Sequence, residues 1–81
     1  MKAVILLTTN PGHEAKAYSR LDELTKETPA KGVKNVSFMH CWGRFDGVAT
    51  CECTDSHALS GVAEALRKEG VFHTETLIAI E

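Results

Sequence analysis

His40, Asp46 and Glu75 are the residues of this chain whose types suit acid–base chemistry. A general base needs a pKa near working pH and a proton placed within reach. His40 sits in an alternating stretch, Val36, Phe38, His40 and Trp42, with Ser37, Met39 and Cys41 on the other side. It is either that base or a partly buried, hydrogen-bonded imidazole. Trp42 reads as core, interface or the wall of an apolar pocket. Asp46 closes the run Gly43-Arg44-Phe45-Asp46. Its carboxylate could accept a ligand ammonium, or it could fix the turn by accepting local N–H groups. Arg44 could clamp a carboxylate with two parallel hydrogen bonds, or stand solvated at a hairpin tip. Gly43 suits a positive φ or a close backbone approach, and it would open backbone groups to a ligand. Glu52 and Glu75 are charges inside strand patterns, which exposure on an edge strand would explain. A Glu75 facing a cavity between sheets would be a candidate acid or acceptor.

Cys41, Cys51 and Cys53 would approach one another if the second and third strands pair. Their spacing is not that of paired metal ligands, and His40 and Cys41 point to opposite faces of one strand. The expectation is three reduced cysteines, those within strands packing as small apolar residues, with no metal and no cofactor. Asn10-Pro11-Gly12-His13 is a helix entry, without the glycines and lysine of a phosphate loop.

These residues need elements to position them. Lys2 to Thr8 is a near-continuous apolar run, as for a strand buried on both faces. Asn10 reads as a helix cap with Pro11 at the first helical position. A helix follows from His13 to about Glu27, with Ala17, Leu21 and Leu24 in one stripe and Tyr18 beside it. Lys16, Arg20, Glu23, Lys26 and Glu27 fall on its wet side. Thr28 to Gly32 is a loop. The second strand is best placed at Val36 to Trp42 within Val33 to Trp42, and the third at Gly47 to Cys53. Asp55 caps a second helix, Ser56 to Glu69, whose stripe is Leu59, Val62, Ala63 and Leu66. Gly70 supplies a left-handed exit. The last strand runs Phe72 to Ile80, with Phe72, Thr74, Thr76, Ile78 and Ile80 on one side and His73, Glu75, Leu77 and Ala79 on the other. Two split βαβ units give a single α+β domain over residues 1–81, a ferredoxin-like βαββαβ sandwich with an antiparallel four-stranded sheet and two helices on one face. The order of strands is open, though the usual arrangement centres the first and third.

A chain of 81 residues is near the lower limit for an independent core. Strands apolar on both sides leave a bare sheet face, which soluble monomers seldom show. Covering about 500 Å² on each of two chains contributes on the order of 25 kcal/mol gross, before association costs. The expected partner is a second copy, sheet against sheet. A net charge of -2 with scattered Lys and Arg argues against a nucleic-acid surface. No apolar run reaches the roughly 20 residues of a spanning helix. The absence of a secretory leader leads to an expected cytoplasmic location and no membrane.

Val33-Lys34-Asn35-Val36, Gly43-Arg44-Phe45-Asp46, Glu52 and Gly70-Val71-Phe72-His73-Thr74-Glu75-Thr76-Leu77 together resemble the dimeric α/β-barrel superfamily. Within it the likeness is to the effector-binding domain of the leucine-responsive (Lrp/AsnC type) transcription regulators and to the sibling GYD domains. The resemblance spans essentially the whole chain. It implies a dimeric α/β barrel formed through the sheets, further association of dimers, and small effectors such as amino acids held near the hairpin and between subunits. Carried over, the ligand-binding positions are Gly43, Arg44, Phe45 and Asp46, with Thr74, Glu75 and Thr76. The sequence departs from the full regulators in showing no helix-turn-helix and no basic recognition helix, and in its Met39-His40-Cys41-Trp42 run.

Three functions follow as expectations. The first is a non-catalytic module that binds a small amino-acid-like metabolite and couples it to assembly. The second is a small barrel enzyme of monooxygenase or isomerase type using His40, Asp46 and Glu75, an analogy of fold rather than of residues. The third is a purely structural oligomerisation partner.

Overall fold

A computed structural model describes residues 1–27 and 31–79. The elements are β1 (Lys2–Thr9), α1 (Glu14–Lys26), β2 (Val33–His40), β3 (Gly47–Cys53), α2 (Ser56–Arg67), a 3-10 turn (Lys68–Gly70) and β4 (Phe72–Ile78). The strands form one antiparallel sheet in the order β2-β3-β1-β4. The first and third strands are therefore central, and the architecture is the expected ferredoxin-like α+β sandwich.

One face of the sheet carries both helices. Ala3, Ile5 and Leu7 of β1 and Ala49, Cys51 and Cys53 of β3 are buried against Leu21 and Leu24 of α1 and Leu59 and Leu66 of α2. Phe72 closes the same core from β4, with Val36 and Phe38 packed on it from β2. Gly47 sits where bulk is limiting: an added Cβ would lie 3.4 Å from Leu7 and Leu21 side-chain carbons. The apolar run of β1 is not buried on both faces within one chain. Its pattern alternates, with Val4 and Leu6 only half-buried on the side without helices. Two helices cover one face, and among the described residues nothing covers the other.

Three local expectations are corrected. Asn10 does not cap α1, and Pro11 lies before the helix, which starts at Glu14 behind His13. Asn10 instead donates from its backbone N to Val71 O at 2.9 Å and from Nδ2 to Gly70 O at 2.7 Å. It thereby supplies a donor at the α2 exit, where helical carbonyls have no partner of their own. Arg20 is not on the wet side of α1: its side chain is 10% exposed. Its Nη1 reaches Glu23 Oε2 at 3.2 Å and Glu27 Oε1 at 3.5 Å, and its Nη2 reaches Ala65 O of α2 at 3.3 Å. Finally, β2 starts at Val33, where a bulge between Lys34 and Ser37 keeps Val33 and Val36 in the strand, and it ends at His40 rather than Trp42. Asp55 does cap α2, its Oδ1 accepting from Ala58 N at 2.8 Å. The Thr28-Pro29-Ala30 part of the expected loop, and Ile80 at the end of the expected last strand, lie outside the described residues.

Candidate functional site

The β2–β3 hairpin is held at its base rather than at its tip. Cys41 N donates to Asp46 O at 2.9 Å and Asp46 N to Leu7 O at 2.8 Å. The Asp46 carboxylate then accepts Thr9 N at 2.7 Å through Oδ2. The carboxylate thus accepts not a local turn N–H, as the turn-fixing reading expects, but one 37 residues away at the end of β1. Gly43 has φ 137°, and an added Cβ there would meet open space. Conformation, not close approach, explains that glycine. The Arg44 guanidinium lies over the Phe45 ring at 5.5 Å, at an exposed tip. Trp42 is fully exposed, so it belongs to no core of the single chain.

Leu7 stands opposite Gly47 on one side and Thr74 on the other. The hairpin base and the start of Thr74-Glu75-Thr76 thus share one end of the sheet, about 10 Å apart across two strand spacings. That segment divides between faces. Thr74 and Thr76 pair with Leu7 and Ile5 and point to the helix layer, whereas Glu75 pairs with Leu6 and points to the open side.

His40 stands at the hairpin base but is not brought to Glu75. It pairs with Gly47 on the helix side of β2, and its ring meets that of Tyr18 from α1 at 4.3 Å between centroids. Glu75 lies on the other edge strand and the opposite face, about 14 Å away by strand spacing. Within one subunit His40, Asp46 and Glu75 form no acid–base constellation.

The cysteines separate in the same way. Cys51 and Cys53 are buried, with their Sγ atoms 3.7 Å apart. Burial, then the hydrogen bond and charge of Cys53, push the Cys51 thiol from its ordinary 9.0 up to about 11. Cys41 opposes Asp46, about 16 Å along the strand from Cys51. Among the described residues no group of three or more His, Cys, Asp or Glu could hold a metal ion. Nor is any described helix long and apolar enough to cross a membrane.

The open face carries Val4 and Leu6 of β1, Val48 of β3, Met39 of β2 and Leu77 of β4 on its pleat. Met39 is 63% and Leu77 52% exposed. Three concavities lie away from the hairpin. One of about 340 Å³ runs between α1, α2 and β2, lined by Leu24, Val36, Phe38 and Val62. The others, of about 510 and 330 Å³, flank Glu52 at the far end of the sheet.

At that far end the sequence reading missed an arrangement. Asn35 Nδ2 donates to Glu52 Oε2, joining two separate pieces of the motif. Glu52 sits on an interior strand, so edge exposure does not explain it. The available signal was the spacing of Val33 and Val36, which breaks strict alternation and marks a bulge.

The sheet order and helix placement can be set beside known proteins. A solved chain described as "crystal structure of FFRP-DM1", an Lrp-type structure, is 26% identical, with 98% of this chain and 97% of that chain covered and a TM-score of 0.64. The likeness agrees with the fold and with the coarser, Lrp-type part of the resemblance. No curated protein sequence matches. A family model described as "Domain of unknown function (DUF3303)" matches residues 1–79, and the chain belongs to that family.

Proposed function

We propose that this domain is a non-catalytic regulatory module, akin to a stand-alone effector-binding domain, which forms a homodimer through its open sheet face and binds a small amino-acid-like metabolite at the hairpin end. The bare face carries this reading. Val4, Leu6, Met39, Val48 and Leu77 are contiguous across the strands and, among the described residues, have no second layer above them. The full-length similarity to an Lrp-type structure supports a regulatory role. At the hairpin, Arg44 and Asp46 offer one cation and one anion on an exposed surface. Small-ligand sites are enclosed, so walls from a second copy would complete this one. Glu75 lies toward that same open side. An enzymatic reading draws no support from the positions of His40 and Glu75.

Sedimentation equilibrium across micromolar concentrations tests the dimer, and thermal shift with amino acids tests the ligand. Dimers lost in Leu6→Glu, with the fold retained by circular dichroism, are expected. A well-packed monomer at about 100 µM, or no stabilisation by any amino acid at about 10 mM, would overturn the corresponding half of the proposal.

A further inference from the structure

The end of the sheet opposite the hairpin holds a polar arrangement that the proposed function does not use. Asn35 takes φ 55° within the β2 bulge. Non-glycine residues enter this left-handed region rarely, and Asn does so more readily than most. The bulge lets Val33 and Val36 both pack on the core, and it places Asn35 Nδ2 on Glu52 Oε2. Lys34, Glu52 and Lys2 form one row across β2, β3 and β1. Lys34 is directly opposite Glu52, which places their Cβ atoms about 5 Å apart. Among the described residues, those two side chains close no ion pair with each other. Beside the row lies the 510 Å³ concavity, lined by Gly32, Lys34, Glu52 and Thr54 among others. The adjoining one of 330 Å³ shares Glu52 and extends over Lys2 to Ala79. Both are concavities open to solvent at the sheet surface.

We propose that Lys34, Asn35 and Glu52 form a second ligand site, which takes a small zwitterion with its ammonium on Glu52 and its carboxylate on Lys34. A lone cation would meet the charges of Lys34, Lys2 and the Met1 ammonium, and a lone anion that of Glu52. A molecule carrying both satisfies both with charge-assisted hydrogen bonds. Asn35 is a positioning residue: it engages one carboxylate oxygen and so sets the direction of the other. A lysine and a bulge on an edge strand also discourage strand addition. That role accounts for β2 alone and not for a bonded carboxylate one strand inward beside a concavity. The site is independent of the hairpin.

Titration of the ¹⁵N-labelled chain with glycine, followed by amide shifts, tests this. Saturable shifts are expected at Gly32, Lys34, Asn35, Glu52 and Thr54 below about 50 mM glycine, with methylamine and acetate at equal ionic strength at least about tenfold weaker. Glu52→Gln and Lys34→Met should each weaken glycine by about tenfold or more. Asn35→Gly keeps the positive φ and should weaken it less. The absence of shifts at these amides overturns the proposal. So does equal binding of acetate or methylamine, or unchanged affinity in a folded Glu52→Gln protein. Shifts confined to Gly43 to Asp46 would overturn it while supporting the hairpin reading.

Discussion

The Asp46 carboxylate accepts the backbone N–H of Thr9 at 2.7 Å, across 37 residues of sequence. The hairpin is thereby tied to the end of β1, one strand inward, by a charged acceptor. Asp46→Ala should lower stability by about 1–2 kcal/mol, or roughly 5–10 °C in Tm for a domain of this size. Asp46→Asn keeps an acceptor and should cost less. Urea unfolding measures both. A ligand lost in Asp46→Asn while stability holds would assign the charge to binding.

The buried thiols should be inert beside Cys41. With Cys51 raised to about 11, roughly one molecule in a thousand carries its thiolate at pH 8. Ellman's reagent at that pH should label the half-buried Cys41 first and all three cysteines only after unfolding. The raised pKa also sets a direction of pH dependence. The folded chain holds the Cys51 proton more tightly than the unfolded one, so stability is full below pH 9.0 and falls as pH rises toward 11. Cys51→Ala should flatten that fall.

Glu52 carries the opposite sign. The Asn35 hydrogen bond chiefly, then the charges of Lys34 and Lys2, hold its carboxyl below the ordinary 4.5. Its stabilisation is present above pH 4.5 and is lost as pH falls through the folded-state value. Asn35→Gly should move the Glu52 titration upward in a carboxyl ¹³C experiment. An unmoved midpoint would show that the amide contact is not maintained in solution.

Arg20 joins α1 to Ala65 of α2, yet its Nε is buried without a hydrogen-bond partner. Its carboxylate partners Glu23 and Glu27 are 63% and 54% exposed and remain solvated if the guanidinium is removed. Arg20→Met keeps the apolar stem and should change stability by less than about 1 kcal/mol. Arg20→Ala should cost more, about 1–2 kcal/mol, by lost packing. Chemical denaturation of the pair separates the two contributions.

Periodicity made most of the fold legible. β3 and the start of α2 are where alternation and the Asp55 cap place them, because each is decided by residues a few positions apart. The assignment of Val48, Thr50 and Glu52 to one face and Ala49, Cys51 and Cys53 to the other follows from the pleat alone. The neighbours of Asn10 and Arg20 suggest a cap and a solvated face, whereas Asn10 satisfies a carbonyl of the 3-10 turn after α2 and Arg20 one on α2, 60 and 45 residues away. Asn35 was passed over because a bulge is a departure from the very alternation used to find strands.

The order of residues alone therefore determined the elements, their apolar faces and the expectation of a ferredoxin-like sandwich, since those depend on local spacing. Only the tertiary structure decided which chemical groups meet. It sent His40 to the helix side and Glu75 to the open side of opposite edge strands. It joined Asp46 to Thr9 and Asn35 to Glu52. Strand order and register are settled by long-range pairing, and a shift of one residue exchanges the faces of a strand. No local pattern carries that information.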